Sequence, residues 1–303
     1  MNFISVGKEN STSINLYYED HGTGKPVVLI HGWPLSGASW ERQVPALVNA
    51  GHRVITYDRR GFGKSSQPLD GYDYDTLAAD LHTIMVELEV HDATLVGFSM
   101  GGGEVARYLG KYGHDRVSKA VFMASITPFL LKTPDNPGGQ DASHFTDTQK
   151  AVAADRPAFL TGFFSKFFNT DVLLGERISE EVIRLNWNIA AGASPKGTHD
   201  CVQSWPTDFR DDLATIKIPT LIVHGDSDRI LPIAGTGQRA HDAVKGSKLV
   251  VIKGGPHGIN WTHADDVNDA LLEFLGSGHS EQSHAATIAD VSELSVGQGM
   301  RTL

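Results

Sequence analysis

Short apolar runs recur along this chain, and the stretches between them carry helical spacing. The runs fall at residues 27–30, 53–57, 94–96, 119–123, 220–224 and 248–252, and they are continuous rather than alternating. A strand covered on both faces has no polar face to show, so such runs predict parallel strands inside a layered fold. The intervening patterns predict helices over 39–50, 75–88, 100–112, 233–243 and 264–275. Near the start, Ile14-Asn15-Leu16-Tyr17-Tyr18-Glu19 alternates, and His21-Gly22-Thr23-Gly24-Lys25-Pro26 supplies turn chemistry, so a hairpin is expected there. With two N-terminal strands added, the count reaches about eight in a mostly parallel, doubly wound α/β sheet.

The alternation breaks at 126–212, a long segment of helical character rich in Phe145, Phe159, Phe163, Phe164, Phe167, Phe168 and Trp187. It lies between two sheet strands and therefore reads as an inserted helical cap, with residues 1–125 and 213–275 forming the core. Its aromatic cluster is expected to pack cap against core, with part of it free to line a pocket. From 276 to 303 the chain turns polar and reads as a flexible tail. Docking of that tail to a larger assembly is the alternative.

Composition narrows the partners. A formal net charge of −10 without a basic cluster argues against nucleic acid, whose phosphates must be met by grouped Lys and Arg. Cys201 stands alone, so no intrachain disulfide can form and nothing demands an oxidising compartment. No basic segment followed by a long apolar one opens the chain, and no apolar run approaches a membrane span. The expected location is cytoplasmic.

Chemistry enters at Gly97-Phe98-Ser99-Met100-Gly101. This G-x-S-x-G pattern sits between an apolar strand and a small-residue helix, the context in which a serine is held exposed on a tight turn. A serine attacks only when a base takes its proton and an acid orients that base. Both partners should follow later strands. Val223-His224-Gly225-Asp226-Ser227-Asp228 ends one, and Gly254-Gly255-Pro256-His257-Gly258 follows the last. His257 is the candidate base, whereas His31 and His224 are read as structural and His263 as a surface or capping residue. Either Asp226 or Asp228 can supply the acid, and Asp228 is favoured because it lies further past the strand end. The oxyanion requires two N–H donors, expected at Met100 and at Trp33, since Pro34 has none to offer.

The loops His31-Gly32-Trp33-Pro34-Leu35 and Tyr57-Asp58-Arg59-Arg60-Gly61-Phe62-Gly63-Lys64-Ser65-Ser66 bring the chain close to a known family. Together with residues 97–107, Pro128-Phe129-Leu130-Leu131-Lys132, Thr161-Gly162-Phe163-Phe164, Arg177-Ile178-Ser179-Glu180-Glu181 and residues 256–264, they resemble the cofactor-free (non-haem) haloperoxidases and aryl esterases of the α/β-hydrolase superfamily. The likeness covers essentially residues 1–275. It implies the α/β-hydrolase fold, with Ser99 as nucleophile, Asp228 as acid, His257 as base, and Trp33 and Met100 at the oxyanion positions. It also implies a serine esterase and perhydrolase with no cofactor and no metal. Its substrates would be a small ester or carboxylic acid and hydrogen peroxide, and the peracid formed would then oxidise halide. Pro34 resembles the version of the loop that leans toward perhydrolysis. Trp33, Met100 and Ile230 are expected to line an apolar entrance. By the same resemblance the protein is a trimer or hexamer of one chain.

Other readings compete. Haloalkane dehalogenases and epoxide hydrolases share the fold and a His-Gly-x-Pro loop, but they need a carboxylate nucleophile where this chain has Ser99. A non-catalytic binding module would be marked by a lost triad residue, and none is missing. A lactone or other acyl substrate is open, because acyl size depends on the cap. The histidines show no H-x-H or H-x-x-x-H spacing, which weighs against a metalloenzyme.

Overall fold

The computed structural model describes residues 2–276, so the expected tail and its docking lie outside the described residues, Gly276 apart. All six continuous apolar runs become strands. The sheet comprises β1 (Phe3–Glu9), β2 (Thr12–His21), β3 (Pro26–Ile30), β4 (Arg53–Tyr57), β5 (Ala93–Phe98), β6 (Val117–Met123), β7 (Thr220–Gly225) and β8 (Lys248–Ile252). Their spatial order is β1-β2-β4-β3-β5-β6-β7-β8. Only the pairings of β1 with β2 and of β2 with β4 are antiparallel. The hairpin turns at Asn10, whose φ is 53°, in the left-handed region that Asn tolerates. Residues 21–26, read as its turn, instead run from the end of β2 into the start of β3, which is separated from β2 by β4.

Both faces of the parallel strands are covered, as their continuous apolar pattern requires. Val28, Ile30, Leu95 and Phe122 face one core with Leu77, Leu81 and Val105. Val27, Leu29, Val96 and Val121 face the other with Leu47, Val267 and Leu271. Burying each such side chain stabilises the fold by roughly 1.5–3 kcal/mol, so both helical layers are anchored by the same strands.

The covering helices of the core are α1 (Gln43–Asn49), α2 (Tyr74–Glu87) and α3 (Met100–Tyr112). Between β6 and β7 come α4 (Ala142–Ala154), α5 (Arg156–Phe167), α6 (Thr170–Leu173), α7 (Glu180–Ala191), α8 (Pro195–Ser204) and α9 (Arg210–Ala214). The chain ends its described part with α10 (Gly237–Ala243), α11 (Ile259–Thr262) and α12 (Ala264–Leu275).

Two expected helices are shorter than their patterns. A 3-10 turn at Gly37–Trp40 precedes α1, because Pro45 cannot donate back to the Glu41 carbonyl and blocks a helix running through it. The pattern over 233–243 splits into a 3-10 turn at Ile233–Gly235 and α10, on either side of Thr236 with its glycine neighbours.

The inserted helices start where the local chemistry allows. Asp155, Ser179 and Ser194 each accept a backbone N–H of the first turn, and Pro157 and Pro195 occupy first-turn positions. Helix α9 runs across the expected boundary at 212, and Phe209 at its start packs edge-on against Tyr74 of α2. Among the described residues, no helix is long and apolar enough to cross a membrane.

Candidate active site

Ser99 connects β5 to α3 with φ 55° and ψ −116°, a strained conformation for a residue with a side chain. Such a residue costs on the order of 1–3 kcal/mol and must be held by its surroundings. The Ser99 N–H donates to the Met123 carbonyl at 2.9 Å, and the Ser99 carbonyl accepts from Gly102 at 3.0 Å. The glycines are required by approach: a Cβ on Gly97 would meet the Gly101 carbonyl, and one on Gly101 would meet the Ile30 carbonyl.

His257 arrives from the loop after β8, fully buried, with Phe98 and Phe167 packed against its ring at centroid distances of 5.3 and 5.1 Å. Its Nε2 lies 2.9 Å from Ser99 Oγ and its Nδ1 2.7 Å from Asp228 Oδ2. Asp228 Oδ1 accepts the N–H groups of Ile230 and Leu231, both at 2.8 Å. Burial pushes the Asp228 carboxyl up. The charge of His257 and hydrogen bonds from His224 and His257 outweigh this and hold it well below the usual carboxylate range.

Asp226 is exposed and does something else. Its Oδ1 accepts from the Gly254 N–H at 2.7 Å and from Ser227 Oγ at 3.0 Å, which pins the β7 loop to the β8 loop.

The decoy histidines have separate surroundings. His224 Nε2 is 2.8 Å from the Leu231 carbonyl and 3.2 Å from Asp228 Oδ2, so it is buried behind the acid rather than merely in the strand. His263 directly precedes α12 but is buried, with Nδ1 2.9 Å from Thr262 Oγ1, and its side chain makes no cap. This differs from the surface position expected, because Thr262 and the α11 turn enclose it. His31 is fully buried. Its Nε2 accepts the Arg59 N–H at 3.0 Å and its Nδ1 donates to the Gly32 carbonyl at 2.9 Å. Burial, reinforced by the Arg59 charge, holds its pKa well below the ordinary value and keeps the ring neutral.

The loop after β3 carries Trp33, whose Nε1 donates to the Thr198 carbonyl of α8 at 3.0 Å. Its ring meets Phe163 and Trp205 edge-on. A buried network ties this loop to the serine helix. Arg59 donates to Glu104 of α3 at 2.9 Å and to the His31 carbonyl at 2.8 Å, while the Tyr57 hydroxyl donates to Glu104. Neither the Trp33 nor the Met100 backbone N–H has a partner among the described residues. Met100 also stands at the N-terminus of α3, where the helix dipole favours negative charge.

A small chamber of about 30 Å³ opens beside Ser99 and His257, and Trp33, Met100 and Ile230 all line it. Sequence reasoning did not identify Ile126, Leu130, Trp205 and Leu231 in the same wall. They are ordinary apolar residues on three separate segments, after β6, after α8 and after β7, and only the fold brings them together. A larger cavity of about 550 Å³, walled in part by Trp40, Asp58 and Lys64, does not reach the serine. Its Asp58 is already held by the Gly37 and Lys64 N–H groups, so the smaller chamber is where chemistry is possible. Among the described residues no group of three His, Cys, Asp or Glu is placed to hold a metal ion.

A family model described as alpha/beta hydrolase fold matches residues 25–264. The chain is 64% identical over 275 residues to a protein of Synechocystis sp. provisionally named a non-heme chloroperoxidase, covering 91% of this chain and 100% of that protein. It is 36% identical to the bifunctional esterase/perhydrolase DCH of Acinetobacter calcoaceticus, covering 87% of this chain and 97% of the other. Among solved structures, a bromoperoxidase from Bacillus anthracis superposes with a TM-score of 0.87 at 55% identity, covering 90% of this chain and 99% of that one.

Proposed function

The chain belongs to the α/β-hydrolase fold family, in its non-haem haloperoxidase branch, and from that premise we propose that Ser99, His257 and Asp228 act as a triad on small carboxylic esters. One observation carries the reading. A buried serine, imidazole and carboxylate stand in line at 2.9 and 2.7 Å, with two unpartnered N–H groups beside the serine.

In this mechanism His257 Nε2 takes the Ser99 proton as Oγ bonds to the ester carbonyl carbon. The carbonyl oxygen becomes an oxyanion against the Trp33 and Met100 N–H groups. The C–O bond to the leaving group breaks, and that oxygen receives the proton from His257. The acyl-enzyme on Ser99 is then attacked by water or by hydrogen peroxide, which gives its proton to His257. The bond from the acyl carbon to Ser99 Oγ then breaks and His257 returns the proton to Oγ, so that water yields the carboxylic acid and peroxide the peracid. Run from a short carboxylic acid, the same acyl-enzyme forms with loss of water. The released peracid transfers its terminal oxygen to halide, giving hypohalous acid and carboxylate away from the protein. The DCH relative, named an esterase/perhydrolase, supports both outcomes. A homo-oligomer, trimer or hexamer, is the assembly the resemblance supports, and a site built within one chain does not depend on it.

The test is Ser99→Ala, assayed with p-nitrophenyl acetate and with peroxide-dependent monochlorodimedone bromination in acetate buffer. Both activities should fall by at least about 10³-fold, leaving only what binding and the oxyanion donors supply. Bromination that survives the substitution would refute the common acyl-enzyme.

A further inference from the structure

The small chamber at Ser99 is not the whole cavity. A second one of about 380 Å³ adjoins it and shares the walls Phe163, Trp205 and Ile230. That volume suits a small molecule, whereas the inner chamber has room only for a short acyl group. Outside the shared wall, the outer chamber is lined by Phe159, by the imidazole of His144 and by the cations Lys166 and Arg229, the last three exposed to solvent. None of the described residues lining it is a carboxylate. In a chain of formal net charge −10, that is a local reversal of sign. Arg229 is partly neutralised, because its Nη1 meets Asp171 at 2.7 Å. Lys166, exposed on α5, makes no ion pair among the described residues.

We infer that the outer chamber receives the leaving group of the ester and favours one that carries a negative charge, which Lys166 recognises. This rests on the reading of Ser99 as nucleophile. An aromatic leaving group finds Phe159, Phe163 and Trp205 as its walls, and an anionic substituent on it meets the solvent-exposed cation of Lys166. Lys166 does not touch the reacting carbonyl, so it acts on binding and encounter. Its effect belongs in KM and in the salt dependence of kcat/KM rather than in kcat.

The experiment compares 4-acetoxybenzoate with phenyl acetate, which carry the same acyl group with and without a carboxylate on the leaving ring. The full-length wild type, Lys166→Gln, Lys166→Glu and Ser99→Ala are assayed. The ratio of kcat/KM, anionic over neutral, should fall about 3- to 10-fold in Lys166→Gln and further in Lys166→Glu, mostly through KM, with phenyl acetate unchanged within about twofold. In the wild type, added salt should lower turnover of the anionic ester and leave the neutral one flat. An unchanged ratio in both lysine variants, with phenyl acetate turnover intact, overturns the inference and leaves the hydrolase reading standing. Salt-independent turnover of both esters by the wild type overturns it without recourse to any variant. Phenyl acetate turnover that survives Ser99→Ala overturns the underlying reading and this inference with it.

Discussion

At the scale of single residues, the two aspartates of the β7 loop separate by what their oxygens already do. Asp228 faces His257 and takes two backbone N–H groups on its other oxygen, whereas Asp226 faces outward and pins Gly254. An asparagine at 228 would keep the backbone bonds through its carbonyl oxygen. It would then turn its NH₂ toward His257 Nδ1, which fixes the tautomer whose Nε2 already carries a proton and cannot accept one from Ser99. Asp228→Asn should therefore lower kcat on the order of 10³- to 10⁴-fold. Asp226→Asn, which can still accept from Gly254, should cost less than about threefold. The reverse ranking in steady-state ester hydrolysis would exchange their roles. The depressed Asp228 carboxyl bears on the pH dependence as well. Its proton affinity lies below the usual range, so it stays ionised through the range in which ordinary carboxylates take up protons. Protonation of Asp228 should therefore contribute nothing to the pH dependence of kcat/KM down to about pH 4.5. An Asp228 carboxyl that took up its proton above that pH, followed by its NMR shift, would overturn this.

At the scale of elements, the oxyanion loop and the serine helix are joined through ions rather than through apolar packing alone. Arg59 is 1% exposed and Glu104 fully buried, and Arg59 bridges Glu104 on α3 to the carbonyl of His31 at the end of β3. Removing one partner leaves an uncompensated buried charge, so Glu104→Ala should destabilise the protein by about 3–5 kcal/mol in urea unfolding. Glu104→Gln can still accept from Tyr57 and Arg59 and should lose less. Equal stability of wild type and Glu104→Ala would show that the network contributes nothing to holding the loop. The sequence contained this pairing only as two distant charged residues, Arg59 and Glu104, whose mutual burial follows from the β4–β3–β5 order. The candidate triad was far more legible, because each member follows a strand and carries glycine nearby. The insertion was legible as a unit but not helix by helix. Its start signals at Asp155, Ser179 and Ser194 were present, yet helical spacing there is blurred by phenylalanines packing in several directions around Phe164 and Phe167.

At the scale of the whole molecule, the layered fold could be read from the chain because continuous apolar runs are possible only where both sheet faces are covered. The pocket could not, because its walls come from segments that meet only after the insertion folds over the strand ends. The same fold also closes on itself before the end of the chain. Gly276 adopts φ 84° and donates to the carbonyls of Leu272 and Glu273, which terminates α12. From β6, the ammonium of Lys119 reaches the next two carbonyls, Phe274 at 2.8 Å and Leu275 at 3.2 Å. The last turn of the helix is therefore satisfied by groups within residues 2–276, while Val267 and Leu271 seal the core beneath it. The Synechocystis relative, aligned over 275 residues, is covered along its full length. Deleting residues 277–303 should accordingly leave kcat/KM for p-nitrophenyl acetate within about twofold and the urea midpoint nearly unchanged. A shortened chain that unfolds at lower urea, or is recovered only as aggregate, would show that α12 depends on residues beyond Gly276 for its seat on the sheet.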